Sequence, residues 1–253
     1  MNLYVMDHHH QLLHLWQELS VRNLDVTHID FHCDMRGLLI DRNHLSARWI
    51  TKDTHSIDEG NFLAHAIMNQ MVDHLTWVHD EPGGRQYDVG GVMYENDLGR
   101  WLPWNTTSIE LKTDIAQLQQ YNELPIRDWP GPAENQWLDI DWDTFAANEV
   151  PYNSIQNRVD SFVAKLENSK VSPGSISFCY SPGFSHPSRE PFNTLVESLE
   201  RLYETKAQIL KFDAREEPTP QSFKHWIPRS LRHYAKSLSV ECQRGLRRAG
   251  IYL

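Results

Sequence analysis

The sequence predicts an α/β fold, a compact three-layer α/β/α sandwich around a mainly parallel sheet. Two observations carry that expectation. Short apolar segments of strand character alternate with amphipathic helical segments along most of the chain, and several strand-like segments end in His or Asp. The first thirty or so residues already read strand, helix, strand, the unit whose right-handed crossover builds parallel sheets. At 253 residues one domain accommodates the chain.

The elements follow in order. Leu3-Tyr4-Val5-Met6 reads as a short buried strand that closes on Asp7-His8-His9-His10. Leu12, Leu13, Leu15, Trp16 and Leu19 recur at helical spacing. A second strand is expected over Asp25–His32, and residues 35–59 read as polar and irregular. Asn61 or Asp58 caps a helix over Phe62–Val72, followed by a strand Leu75–Val78 that ends in His79-Asp80. Glycine turns and alternating apolar residues between about 85 and 105 predict a β-hairpin insertion. Residues 107–121 read as a polar helix or an extended edge, and 127–132 as a loop. Gln136–Asp143 is a strand, 154–166 a helix, 175–180 a buried strand, 191–202 a helix and 207–212 a last strand. A basic, amphipathic helical tail is expected over 218–253.

Composition narrows the function classes. A net charge of −10 argues against nucleic acid as a partner, because phosphates demand a basic surface. It suits a cationic substrate. No apolar run is long enough to span a bilayer, so no membrane partner is expected. No basic region followed by an apolar one opens the chain, so no signal peptide is expected. Cys33, Cys179 and Cys242 are too scattered for a disulfide framework or a thiolate zinc site, which points to a cytoplasmic setting. Oligomeric state is left open, a homo-oligomer included.

The 14 His cluster with acids. On a strand, residues two apart share a face. Asp30, His32 and Asp34 therefore point one way, with Ile29 and Phe31 opposite. Two carboxylates flanking an imidazole make half of a metal site. A polar strand end with solvated acids is the plainer explanation, and His28 weakens it by adding another polar group to a buried-looking strand. Asp139, Asp141 and Asp143 alternate with Leu138, Ile140 and Trp142. Acids lined along one face of a core strand repel unless a cation lies between them. In a parallel sheet these strand ends share the edge where open α/β folds hold ligands.

Collected, one His from 8 to 10 joins Asp30, His32, Asp34, Asp139 and Asp141. Four carboxylates in one crevice require about two divalent ions, which bridging carboxylates hold about 3.5–4 Å apart. Oxygen and imidazole donors without thiolate suit Mn²⁺. Such a pair acidifies a bridging water, and the chemistry implied is hydrolysis. No Ser-His-Asp or Cys-His arrangement, phosphate-binding glycine loop or dinucleotide fingerprint competes. Cys33 points away from its neighbours and reads as core.

Asp30-Phe31-His32-Cys33-Asp34 resembles the Asp-Ala-His-x-Asp signature of the arginase (ureohydrolase) and deacetylase superfamily. Leu138-Asp139-Ile140-Asp141 resembles its Ser-Phe-Asp-Val-Asp strand, and Met6-Asp7-His8-His9 its Gly-Gly-Asp-His turn. The resemblance spans about the first 145 residues. The Asp-His-His, Leu-Asp-Ile-Asp-Trp-Asp and Ser-Pro-Gly-Phe segments look closest to an atypical branch that includes peptide arginases. These convert arginine side chains of ribosomally made precursor peptides into ornithine. The resemblance implies two Mn²⁺ ions bridged by Asp30 and Asp139. His9, with His8 in reserve, and Asp34 complete one ion; His32 and Asp141 complete the other. Asp34 also hydrogen-bonds the bridging hydroxide, while Asp143 is solvated or faces the substrate.

The chain departs from the family where a His shuttles protons. Gly60-Asn61-Phe62-Leu63 carries Leu in that place, so His65, two residues on, is the candidate shuttle, with His55 and His79 as substitutes. Equally, His65 is an ordinary helix residue. Asp58, Glu59, Asn61 and His79 are the candidate substrate-binding residues, although loop acids are usually just solvated. The implied activity is release of urea from arginine within a peptide. Alternatives are a small-molecule ureohydrolase for free arginine or agmatine, and an amide deacetylase, which the Asp-x-Asp pair disfavours. A two-metal phosphoesterase wants more cations than Arg36, and a degenerate binding fold is disfavoured by six filled ligand positions.

Overall fold

The computed structural model describes residues 1–49, 57–79, 93–94, 114–147, 150–186 and 189–210. All of them belong to one compact unit, Met1–Leu98 with Ile109–Phe212. The expected tail over 218–253, His55, Cys242 and all of the 85–105 insertion except Met93–Tyr94 lie outside the described residues.

Strand β1 (Asn2–Met6) leads through helix α1 (Gln11–Glu18) to β2 (Leu24–Ile29). Strands β3 (Leu38–Asp41) and β4 (Ser46–Trp49) precede helix α2 (Phe62–Met68) and β5 (Val72–His79). Then come β6 (Met93–Tyr94), β7 (Ile115–Gln117), β8 (Gln120–Pro125) and β9 (Trp137–Asp141). Helices α3 (Asp143–Ala146) and α4 (Tyr152–Ser169), strand β10 (Ser175–Cys179), helix α5 (Glu190–Leu202) and β11 (Ala207–Ile209) follow.

Seven strands form one sheet in the order β11-β1-β10-β9-β2-β5-β8, and every neighbouring pair is parallel. Period-two alternation divides the core. Leu3, Val5, Ile29, Leu138, Ile140, Ile176 and Phe178 pack under Ile155, Val159 and Phe162 of α4 and Phe192, Leu195 and Leu199 of α5. Tyr4, Met6, Val26, Leu75, Trp77 and Trp137 pack the opposite face under Leu12, Leu13 and Trp16 of α1 and Phe62, Ala66 and Ile67 of α2. The expected three-layer α/β/α sandwich with a parallel sheet is thus the observed one.

Boundaries differ in instructive ways. Residues 35–59 are not wholly irregular: β3 and β4 pair antiparallel, and a four-stranded sheet β6-β3-β4-β7 forms beside α2. The turn between them is held by Asp41, whose carboxylate accepts the Asn43 N–H at 2.9 Å and pairs with the His44 ring. Helix α2 stops at Met68, and Val72 already belongs to β5. Gln70 in the left-handed region (φ 57°) closes that helix and lets the chain turn back into the sheet. Of the segment 107–121, the described residues 114–121 contribute β7 and the start of β8, the extended one of the two expected forms, and 107–113 lie outside the described residues. Strand β2 ends at Ile29, so Asp30 to Asp34 lie in the following loop, with Asp34 itself left-handed (φ 51°). No helix among the described residues is long and apolar enough to cross a membrane.

Candidate metal centre

The centre lies at the carboxyl ends of β1, β2, β9 and β10, on the sheet face covered by α1 and α2. Register builds its base. His28 of β2 lies opposite Asp139 of β9, and Asp139 opposite Ser177 of β10. A parallel sheet brings such partners within reach on one face. Accordingly Asp139 Oδ2 accepts hydrogen bonds from His28 Nδ1 at 2.8 Å and His9 Nε2 at 2.9 Å. Its Oδ1 accepts the Ser177 hydroxyl at 2.7 Å, and that hydroxyl receives the indole N–H of Trp137 at 2.9 Å. Asp139 is fully buried with both oxygens engaged by the protein.

Above that row the polar atoms are not so satisfied. His9, 1% exposed, is fixed by its Nε2 bond to Asp139, and its ring packs 4.6 Å from Phe62 and 5.3 Å from His28. Its Nδ1 faces Asp34 Oδ2 at 3.0 Å, Asp141 Oδ2 at 3.2 Å and Asp30 Oδ2 at 3.3 Å. None of the three is aligned for a hydrogen bond, and His9 Nδ1, His28 Nε2, Asp30 Oδ2 and Asp143 Oδ2 are enclosed without one. Buried polar atoms left unpaired are costly and rare. The spacing is that of a coordination shell: donors about 2.1 Å from an ion stand about 3.0 Å apart at right angles and about 3.4 Å apart at tetrahedral angles. A second cluster joins Asp30, His32 and Asp143, with donor atoms all within 4.8 Å of one another. His32 Nδ1 lies 2.8 Å from Asp143 Oδ2 and 3.8 Å from Asp30 Oδ1. Asp30 is common to both clusters. The donor set fits two divalent cations.

Without ions the charges are frustrated. Burial pushes the Asp30 carboxyl well above its ordinary value, and repulsion by Asp143, Asp34 and Asp141 adds to it. Burial and then Asp143 push Asp141 up to about 6. Burial works against a charged His32, but Asp143 overcomes it and raises the imidazole to about 9. His9 behaves likewise: burial opposes its charge, and Asp139 raises it well above the ordinary range. Burial would raise Asp139, yet the neighbouring His9 and the His28 hydrogen bond hold it well below the usual carboxylate range. Burial also opposes the Asp143 charge, and His32 lowers it nonetheless. Asp30, Asp141, His9 and His32 thus hold on to protons where cations are wanted. Cys179 is close to His9 and Asp141; burial pushes its thiol well up, so an ion bound there would have to displace its proton.

The other expected residues fall around this centre. His8 turns away from it to pair its Nδ1 with Glu59 Oε1 at 2.7 Å. Asp58 pairs with Arg36 and accepts the Gly60 N–H at 3.0 Å, while its own N–H donates to Asn61 Oδ1 at 2.8 Å. Asn61 is buried at the start of α2, whose Leu63 N–H donates to the Asp34 carbonyl at 3.1 Å. His65, on α2, places its ring 4.9 Å from Trp49 of β4. His79 is buried against Trp77 and faces Glu123 Oε1 at 3.3 Å. Asp143, expected to be solvated or substrate-facing, is 1% exposed and carries an unbonded oxygen into the second cluster. His28, Ser177 and Ser181 are functional neighbours that the sequence reading did not place in the site. Parity could have found His28, since it stands two residues before Asp30. The two serines carry no such signal, because only sheet register and a turn bring them to the acids.

Fold and centre together define a parallel α/β protein with buried, carboxylate-rich His and Asp clusters at the carboxyl edge of its sheet. No protein-family model and no curated protein matches the sequence. Among solved structures, the chain is similar to proclavaminate amidino hydrolase from Streptomyces clavuligerus at 13% identity and a TM-score of 0.41, over 80% of this chain and 62% of that one. It is also similar to a hypothetical agmatinase from Burkholderia thailandensis at 14% identity and a TM-score of 0.42, over 79% and 58%. The chain thus spans about three-fifths of the length of these two.

Proposed function

We propose that the chain is a binuclear Mn²⁺-dependent hydrolase of the arginase type, which cleaves the guanidinium group of arginine residues in a precursor peptide. The observation that carries the metal centre is His9: its Nε2 is spent on Asp139 while its Nδ1 meets three unaligned carboxylates at 3.0–3.3 Å. One ion would be held by His9, Asp34 and Asp141 and the other by His32 and Asp143, with Asp30 within reach of both. Asp139 orients His9 instead of ligating: it already accepts three side-chain hydrogen bonds, from His9, His28 and Ser177, whereas Asp141 Oδ2 accepts a single one, from Ser181, and faces His9 Nδ1 at 3.2 Å. This arrangement replaces Asp139 by Asp143 in the ligand set expected from the motif alone.

When bound, the ions supply Lewis acidity that makes water a nucleophile at neutral pH. Asp34, beside His9 Nδ1, orients that water. Water adds to the guanidinium carbon, the bond from that carbon to Nε breaks, urea leaves, and the Nε of the resulting ornithine takes up the proton. The net charge of −10 favours a cationic substrate. Preference for peptide over free arginine rests on the Asp-His-His, Leu-Asp-Ile-Asp-Trp-Asp and Ser-Pro-Gly-Phe segments. The test pairs metal analysis with urea release from an arginine-containing peptide and from free arginine. Two Mn²⁺ per chain with urea from the peptide alone is the expected result. Urea from free arginine alone would shift the substrate to small molecules, and one zinc per chain without urea would refute the proposal.

A further inference from the structure

Two imidazoles of the centre share one carboxylate oxygen. Asp139 Oδ2 lies 2.9 Å from His9 Nε2 and 2.8 Å from His28 Nδ1. An ionised carboxylate only accepts hydrogen bonds, so both rings donate there. His9 therefore carries a proton on Nε2 and His28 on Nδ1, and in each neutral ring the other nitrogen presents a bare lone pair. Register and packing fix both rings. His28 stands opposite Asp139 across the β2–β9 pair, fully buried, with its ring 6.2 Å from Phe62. The His9 ring packs between these two, 4.6 Å from Phe62 and 5.3 Å from His28.

The bare nitrogens converge on one oxygen. His9 Nδ1 and His28 Nε2 each stand 3.3 Å from Asp30 Oδ2. All three atoms are enclosed without a hydrogen bond, and His9, His28 and Asp30 each bring a donor atom to within 4.8 Å of the other two. Two nitrogen lone pairs and a carboxylate oxygen that face one another repel unless a cation lies among them. Their 3.3 Å separations are close to the about 3.4 Å expected of donors set tetrahedrally around an ion at about 2.1 Å. A histidine whose task ended at supporting Asp139 would need only Nδ1, and its Nε2 would meet a hydrogen-bond donor. Here Nε2 meets an acceptor.

We propose that His28 is a metal ligand through Nε2, beside His9 Nδ1 and Asp30 Oδ2, so that one ion is held by two imidazoles whose orientation a single carboxylate, Asp139, sets. The inference rests on the metal centre proposed above and adds a ligand that the motifs do not contain. A carboxylate behind each imidazole fixes its tautomer and raises its basicity as a ligand. The two ions then differ: the one at His9 and His28 has two nitrogen donors, the one at His32 and Asp143 has one. Imidazole suits later transition ions and carboxylate suits Mn²⁺, so a first equivalent of Co²⁺ should settle at His9 and His28.

The test uses Co²⁺ and Mn²⁺ on the full chain. Each imidazole bound to Co²⁺ shows its remaining N–H as an exchangeable proton resonance strongly shifted by the paramagnetic ion. Wild type saturated with Co²⁺ should show three such resonances, from His9, His28 and His32, and the first equivalent should bring out those of His9 and His28. Two variants separate ligation from support of Asp139. Asn branches at Cγ as His does and keeps an N–H near the place of Nδ1, whereas Gln puts its carbonyl oxygen near the place of Nε2. His28→Asn should lose one resonance and bind one Mn²⁺ more than about 100-fold less tightly, beyond the about 10–100-fold that loss of an outer partner costs. His28→Gln should hold that Mn²⁺ more tightly than His28→Asn does, since a side-chain carbonyl can ligate. Only two shifted resonances in saturated wild type would overturn this inference alone, whether or not the variants fold. Tighter Mn²⁺ binding by His28→Asn than by His28→Gln would do the same. Wild type that binds neither ion would overturn the metal centre together with it. Two ions bound without urea release would refute the hydrolase reading and leave His28 as a ligand.

Discussion

Asp139→Asn separates a residue that supports the metal centre from one that holds a metal. Asp139 accepts three hydrogen bonds, from His9 at 2.9 Å, His28 at 2.8 Å and Ser177 at 2.7 Å. A carboxamide keeps one acceptor oxygen and puts an NH₂ against at least one of these donors. Orientation of His9 is weakened, and the negative charge that raises the basicity of His9 is lost. Loss of such an outer partner costs about 10–100-fold in metal affinity, or about 1.4–2.7 kcal/mol. Asp141, by contrast, is expected to bind an ion directly, so Asp141→Asn should fail to hold two ions at any attainable Mn²⁺ concentration. The assay is Mn²⁺ titration by calorimetry with metal counting, followed by urea release at saturating metal. Asp139→Asn should reach two ions and regain most of its kcat when Mn²⁺ is raised. If Asp139→Asn loses one equivalent of metal outright while Asp141→Asn keeps both, the proposed division of roles is wrong.

Other consequences follow from the same geometry. Asp30→Ala removes the carboxylate common to both clusters, so it should abolish binding of two ions and lower urea release by about 10³-fold or more, measured by metal counting and turnover. Chelation should lower the thermal midpoint. If each ion is present at about 100 times its Kd, its removal costs about 2.7 kcal/mol, or about 5–11 °C in a chain of this size, read by scanning calorimetry. Metal uptake should also release protons. In the ion-free protein His32 is raised to about 9 and His9 is raised well above its ordinary value, so both are protonated at pH 7 and must lose a proton to ligate. Affinity should therefore fall as pH drops below about 9, and calorimetry in buffers of different ionisation enthalpy should register net proton release at pH 7, from these imidazoles together with Asp30, whose carboxyl is also raised. No proton release would mean that these imidazoles do not ligate.

The sequence by itself determined the kind of fold and the gathering of acids and imidazoles at one edge of its sheet. Alternation in Leu3–Met6, Trp137–Asp141 and Ser175–Cys179, with helical spacing between, suffices for a parallel sheet covered on both faces, since burial of apolar side chains obeys those periods. Acids and imidazoles at three strand ends sufficed to expect a buried His and Asp cluster, because parallel strands end on one edge. What the sequence could not decide was which acid serves which purpose. Parity treats Asp139, Asp141 and Asp143 as equals, and it stops applying where β2 ends at Ile29 and β9 at Asp141. Only the tertiary structure put His28 and Ser177 beside Asp139, turned His8 toward Glu59 and His9 inward, and buried Asp143 opposite His32. The physical reason is that a ligand role depends on which lone pairs the protein leaves unbonded, and that is set by neighbours distant in the chain.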